Sequence, residues 1–287
     1  MESGAQSRLN AEHWQAGTHV GAYAHRRLHP VEVLLLERYR DALSGRVLEV
    51  GCGAGRVLGY LVELGGEVHG IDISPAMVAH CQAAYPQAAV RVGDLAAISA
   101  STEGKFDAVL GVDSVLDVFD DGERRRVLSD LRALLAPGGL LIFSSHNLAR
   151  SDGSAPAPGI DAEAGPGAGG EPRLRPLVRR ALSKPPIELL TAIARMPRAA
   201  LARRRNRRRM AALESRGPDY AIINDLAHDY ALLHYYIGRD AQQRQLEALA
   251  YELVECLDPR GRTVGAGEAG DGPWLFYVAR WATSGAA

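Results

Sequence analysis

Apolar residues recur along the first half of the chain in two alternating rhythms. Arg46–Val50, Glu67–Asp72, Ala89–Val92, Phe106–Gly111 and residues 140–145 are short apolar runs bounded by Gly, Pro or acidic residues, the pattern of buried strands. Between them the spacing is helical. Residues 55–64 put Val57, Leu58, Leu61 and Leu64 on one side. Ser74 and Pro75 form an N-cap and first-turn pair that opens a helix to about Tyr85. Residues 123–135 form an amphipathic helix closed by Pro137-Gly138-Gly139. Strands alternating with helices predict a parallel sheet with right-handed crossovers. Upstream, residues 8–43 read as helical, with Pro30 as a start signal.

After the fifth strand the rhythm stops. Residues 151–172 are rich in Gly, Ala and Pro without periodicity, as in a flexible loop. Residues 173–215 read as two basic helices separated near Pro197, and residues 218–236 as a further helical stretch dense in Tyr and His. A helix over 239–250 and strands over 252–257 and 274–279 then complete a seven-stranded sheet. The expected organisation is an N-terminal helical lid (1–45), a core (46–147), a flexible loop with a basic helical insertion capping the acceptor (148–237), and a C-terminal helix and strand pair completing the core sheet (238–287).

The 287 residues and 47% hydrophobic content suit a globular protein with ample core. No stretch approaches the roughly 20 apolar residues of a membrane span. There is no apolar signal core at the start, and Cys52, Cys81 and Cys256 form neither a disulfide framework nor a metal ligand set, which together predict a cytoplasmic setting. The formal net charge of −1 conceals an imbalance: residues 173–209 carry +12, the remainder −13. That basic segment suits a solvated cover over the site, with its arginines paired to the acidic remainder. Peripheral contact with an anionic membrane ranks second, and nucleic acid last, since no nucleic-acid-binding module is present.

Chemistry concentrates at the first strand–helix turn. Gly51, Gly53 and Gly55 let a ligand approach the backbone, and the helix that follows offers unpaired N–H groups to an anion. Asp72, 23 residues after Glu49 at the end of the second strand, is placed to accept both hydroxyls of a ribose. A tight turn and a plain helix cap are the plainer alternative. The spacing is G-x-G-x-G, with Arg56 where a dinucleotide fold's G-x-G-x-x-G has its third glycine, which disfavours an NAD-dependent oxidoreductase.

Val47-Leu48-Glu49-Val50-Gly51-Cys52-Gly53-Ala54-Gly55 resembles the first motif of the class I S-adenosylmethionine (SAM)-dependent methyltransferases, and residues 70–77 resemble their second. Val92-Gly93-Asp94-Leu95, Phe106-Asp107-Ala108-Val109 and residues 134–140 resemble three more, in order, across about a third of the chain. The resemblance implies a Rossmann-like α/β fold and SAM as cofactor. It places Gly51 and Gly53 at the methionine moiety and Glu49 at its ammonium. Asp72 holds the ribose, and Ile73 and Met77 lie against the adenine. Asp94 accepts from the adenine amine beside Leu95, and Val112 and Asp113 flank the sulfonium. Tyr23 covers the cofactor from the N-terminal segment.

For the acceptor, His146 follows the fifth strand at the ligand edge, and His234 lies in the Tyr-rich stretch. Both are expected as bases or acceptor-orienting groups, with Asp113 a third catalytic candidate. A hydrogen-bonded structural histidine is the competing reading of each. His228, Tyr230, Tyr235 and Tyr236 are expected to line the acceptor pocket. His25 and His29 stand four apart, but without an acidic or Cys partner no metal is expected. The expected function is methyl transfer to oxygen or nitrogen of a small-molecule acceptor. Two other classes stay open: a noncatalytic SAM-binding protein acting through the basic insertion at a membrane or nucleic acid, and an NAD-dependent oxidoreductase.

Overall fold

The computed structural model describes residues 4–16, 20–24, 26–98, 105–151 and 200–282. Ten strands form one sheet: β1 (Arg46–Val50), β2 (Glu67–Asp72), β3 (Ala89–Val92), β4 (Phe106–Gly111), β5 (Leu135–Asn147), β6 (Ser215–Arg216), β7 (Tyr220–Ile223), β8 (His234–Ile237), β9 (Tyr251–Leu257) and β10 (Trp274–Trp281). Seven of them run in the order β3-β2-β1-β4-β5-β10-β9, with β10 antiparallel to both neighbours. This is the expected seven-stranded, mostly parallel core.

Alternation along the strands creates the two apolar layers. Leu48, Val109, Leu141 and Phe143 pack on one face with Val127, Leu128 and Leu131 of the helix Asp121–Leu134. Val47, Ala108, Leu110 and Ile142 face the opposite layer, with Leu35 and Leu36 of Pro30–Arg38, Leu58 and Leu61 of Leu58–Glu63, and Val78 and Cys81 of Pro75–Ala84. The cap of Asp121–Leu134 is Asp120, whose carboxylate accepts from the Glu123 main chain at 2.9 Å. Ser74 holds the cap position of Pro75–Ala84 without a side-chain cap bond; Asp72 receives its N–H instead.

The stretch 218–236 departs from its expected helix. It folds as the strand pair β7–β8 around a short 3-10 turn, Ala227–Tyr230. Tyr and Ile favour strands, and His228, Asp229 and Tyr230 all have positive φ, which no α-helix accommodates. β8 runs parallel to the last residues of β5, pairing Tyr236 with His146, and β7 and β6 follow antiparallel. The sheet thereby gains three strands beyond the seven. Of the basic insertion, residues 200–211 are helical. The loop of 152–172 and the basic stretch 173–199 lie outside the described residues, as does His25.

The N-terminal helix Ala5–Gln15 is fastened by buried amides rather than by an apolar face. Gln6 donates to the carbonyls of Asp117 and Leu233, and Asn10 to those of Val118 and Leu233 while accepting from the Leu233 N–H. It therefore bridges the segment after β4 and the start of β8.

Candidate active site

The carboxyl ends of β1, β2, β4 and β5 converge on one edge of the sheet. Gly51, Gly53 and Gly55 have φ of +65°, +53° and +88°. Gly51 and Cys52 donate to the Ile71 carbonyl, which closes the turn. A Cβ on Gly55 would strike Cys81 and Tyr85, whereas one on Gly53 meets nothing, so Gly53 faces open space. Asp72 binds the turn to β2: its two oxygens accept from Gly53 N and Ser74 N, each at 2.8 Å. Burial raises the Asp72 carboxyl above its ordinary value, and these two bonds oppose the rise.

Glu49, like Arg26, Ser74 and Ser114, has a buried side-chain atom without a partner, and it is the carboxylate among them. It is 3% exposed, and its Oε2 is buried without a hydrogen-bond partner. Burial drives its carboxyl well above the usual range, against the pull of Arg56. Arg56 is itself occupied by Glu32 and by Asp113, the latter at 3.0 Å. That pairing gives Arg56 a role at the position where a dinucleotide loop carries glycine.

The other residues expected at the cofactor, Tyr23 apart, follow β2, β3 and β4. Ile73 is half-buried and Met77 buried. Asp94 is exposed, one oxygen accepting from Ala96 N at 2.8 Å, with buried Leu95 beside it. Val112 is buried at the end of β4. Asp113 takes a left-handed φ of +55° and joins Arg56 to Arg26, whose guanidinium lies 3.7 Å over the Tyr23 ring. Tyr23 reaches His228 at 3.5 Å, and Trp14 packs edge-on against both. The N-terminal segment and the stretch 218–236 thus meet at Tyr23 and His228.

The rings of His146 and His234, the two histidines expected at the acceptor, stack, 4.7 Å between centroids and 23° between planes. Each is held by a carboxylate. His146 Nδ1 lies 2.6 Å from Asp117 Oδ2, and His234 Nδ1 lies 2.8 Å from Asp225 Oδ2. Tyr236 donates to the same Asp225 oxygen at 2.6 Å, and its ring lies 4.8 Å from His146. Asp117 pairs with the fully buried Arg124 at 2.7 Å and accepts from Ser145 at 2.6 Å. Arg124 also donates to Gln242 and Gln245.

His146, Asp225 and His234 bring three ligand-type atoms within 4.8 Å of one another, as do His29, Glu32 and Asp113. The first grouping is a hydrogen-bonded one. Two ligands of one zinc ion, at bond lengths of roughly 2.0–2.1 Å, stand about 3.3 Å apart in tetrahedral geometry, farther than the 2.8 Å between Asp225 and His234.

Tyr235 is separated from this group. As the odd member of a strand triplet it points to the opposite side from His234 and Tyr236. Its ring stacks on Tyr220 and lies under Arg124, and its hydroxyl donates to Asp121 at 2.6 Å. The expectation that Tyr235 and Tyr236 share one wall came from a helical reading, and strand alternation divides them. Tyr230 is half-buried beneath Arg207. The sequence reading missed Asp117, Arg124 and Asp225 as carriers of the site. Their signals were an acid within the apolar run 115–119 and an arginine on the apolar face of Asp121–Leu134.

Comparison with known proteins bears on the fold and the domain. The methyltransferase-domain family matches residues 47–139. A ubiquinone biosynthesis O-methyltransferase from Xanthomonas oryzae pv. oryzae is 32% identical over 124 residues, covering 42% of this chain and 51% of that protein. A probable S-adenosylmethionine-dependent methyltransferase from Mycolicibacterium smegmatis is 30% identical over 115 residues, 40% of this chain and 43% of that one. The chain thus spans about half the length of the curated relatives it matches.

Among solved structures, the 1,6-didemethyltoxoflavin-N1-methyltransferase of Burkholderia thailandensis, with bound 1,6-didemethyltoxoflavin and S-adenosylhomocysteine, shares the fold (TM-score 0.56, 14% identity, 99% of this chain and 92% of that one). So does the CcbJ methyltransferase of Streptomyces caelestis (TM-score 0.55, 17% identity, 94% and 98%). Residues 47–139 thus match a methyltransferase domain, on the fold that these two solved methyltransferases share.

Proposed function

We propose that the protein binds SAM at the glycine turn and transfers its methyl group to a small-molecule acceptor held against His146 and His234. The observation that carries the cofactor half is the orphaned, buried Oε2 of Glu49 beside the turn. A buried carboxyl without a partner costs stability unless a ligand supplies one, and the ammonium of the methionine moiety has the required charge and donors. Asp72 has lone pairs left for ribose hydroxyls after its two backbone bonds. Ile73, Met77 and Leu95 supply apolar walls for the adenine, and Asp94 has a free oxygen for its amine. Gly53 keeps the approach to the sulfur end clear, Gly51 gives the turn its close packing on Val115, and Val112 lies at the end of β4.

When bound, SAM supplies a methyl carbon activated by its sulfonium. What remains for the chain is alignment, exclusion of water and management of the acceptor's proton. Alignment alone is worth roughly 7–11 kcal/mol in favourable cases. Asp117 fixes His146 with its Nδ1–H engaged, leaving Nε2 to take a proton. Tyr236 and His228 border the acceptor space, and Tyr23 and Trp14 cover it from the N-terminal segment. Asp113, held between Arg26 and Arg56, serves this reading as the anchor of that cover, not as a base. Measured binding of SAM and S-adenosylhomocysteine, with loss in Asp72→Ala, tests the proposal.

The basic helix over 200–211 carries a second proposal, peripheral contact with an anionic membrane. Arg204, Arg205, Arg208 and Arg209 are exposed, and Leu201 is 68% exposed beside them. Co-sedimentation with anionic vesicles, lost at high salt, tests it; no retention at low salt removes it. No described helix is long and apolar enough to cross a membrane.

A further inference from the structure

We propose that the stacked histidines have separate duties, His146 as proton acceptor and His234 as a fixed cation, and that together they select an acceptor methylated on an ionising hydroxyl, a phenol or enol, rather than on an amine. The inference rests on the methyltransferase reading above and names the chemistry of its acceptor.

The argument starts from charge. Asp117 and Asp225 both bind an imidazole Nδ1, but their other partners differ. Asp117 is already neutralised by Arg124, both side chains being fully buried. The other donors to Asp225 are neutral, the Tyr236 hydroxyl and the Ala227 N–H, and among the described residues His234 is the one basic side chain that pairs with it. Buried charge is costly unless compensated nearby. Electroneutrality of this cluster therefore needs one more positive charge, and His234 is where it resides. A second cation on His146, stacked at 4.7 Å, meets a like charge and has no anion left to offset it.

The ionisation tendencies agree. Burial opposes the charge on Asp225, yet His234 beside it, and to a lesser degree His146 and the Tyr236 hydroxyl, hold the carboxyl below its ordinary range. Burial likewise opposes the charge on His234, and Asp225 overrides it, raising the imidazole above its usual value.

The proton inventory follows. His146 is neutral, with Nδ1–H on Asp117 and a lone pair on Nε2. His234 is an imidazolium whose Nδ1–H is on Asp225 and whose Nε2–H is free to donate. An acceptor hydroxyl loses its proton to His146 Nε2, and the oxygen's charge is held by His234 Nε2–H. The oxygen's electron pair then forms the bond to the methyl carbon, while the carbon–sulfur pair leaves with sulfur, converting the sulfonium to a neutral thioether. A phenol, with a pKa near 10, lies within reach of an imidazole assisted by a cation. A protonated amine meets the His234 charge instead, and a neutral amine develops no oxyanion for it to stabilise.

Nitrogen-15 NMR of histidine-labelled protein reads both states directly, with and without S-adenosylhomocysteine. The expected result is one imidazolium in this pair at neutral pH, assigned to His234 through its loss in His234→Gln. His146 is expected as the neutral Nδ1–H tautomer, and Asp225→Asn discharges His234 alone. Two neutral rings, a charge on His146, or a stoichiometric divalent metal on the pair overturns the proposal. The acceptor class is probed with the matched pair para-nitrophenol and para-nitroaniline on the S-adenosylhomocysteine complex. The phenol binds as its coloured phenolate, at least about tenfold tighter than the aniline, the worth of one charge-assisted hydrogen bond. Equal binding, or binding of neither, overturns the assignment. Failure of S-adenosylhomocysteine itself to bind strikes the methyltransferase reading instead, and the histidine charges of the free protein are read regardless.

Discussion

One oxygen of Asp117 receives both N–H groups of His146: the main-chain N at 2.7 Å and Nδ1 at 2.6 Å. Backbone and ring are thereby fixed by a single acceptor, and the tautomer with a free Nε2 follows. Burial opposes the ionisation of Asp117, but Arg124 and His146 override it and hold the carboxyl below its ordinary value.

Replacing Asp117 by Asn leaves Arg124 buried and uncompensated. Loss of one partner of a buried pair costs about 3–5 kcal/mol, so Asp117→Asn is expected to lower the urea midpoint sharply. The pH dependence has a definite sign. A depressed carboxyl contributes stability that is full above its unfolded value and fades as pH falls through the folded one. The wild type therefore loses stability on the acid side, and the variant shows a shallower loss there.

Glu49 runs the other way. Its carboxyl is raised by burial, so the free protein loses stability as pH rises from the ordinary glutamate value toward the raised one. Glu49→Gln removes that penalty. Thermal unfolding of the free variant is expected to exceed wild type at neutral pH and to match it in acid. SAM affinity is expected to fall about 10–100-fold, the equivalent of a charged hydrogen bond of roughly 1.5–3 kcal/mol. Calorimetry in buffers of different ionisation enthalpy should show proton release when wild type binds SAM, and none in the variant.

Tyr235 and Tyr236 are neighbours in sequence with opposite duties. Tyr235→Phe removes the hydroxyl bond to Asp121 and is expected to cost about 1.5–3 kcal/mol in unfolding, with para-nitrophenol binding unchanged. Tyr236→Phe removes a donor from Asp225 and is expected to cost a similar amount in unfolding but, unlike Tyr235→Phe, to alter binding of that probe. Paired denaturation and absorbance titrations separate the two.

The core of the fold was legible because its signals are local. The β1–β5 runs, the glycine turn and Asp72 each follow from short-range pattern; β1 to β4 fall where those patterns end, while β5 extends beyond the expected 140–145 at both ends and runs through Pro137-Gly138-Gly139. The stretch 218–236 misled for a physical reason. Its Tyr and His density suits either a pocket helix or a strand pair, and the choice was made by pairing with β5, a contact 90 residues distant in sequence between His146 and Tyr236. The dyads were half-visible. His146 and His234 stood out as titratable groups, but Asp117 and Arg124 are ordinary in sequence and become significant once the helix Asp121–Leu134 buries Arg124 against β5.

The central claim is tested most directly by calorimetric titration of the protein with SAM, S-adenosylhomocysteine and NAD, wild type beside Asp72→Ala. The account predicts one site per chain for the two sulfur nucleosides, no binding of NAD, and a weakening of about 10–100-fold in the variant. Absence of SAM binding, or a preference for NAD, contradicts it.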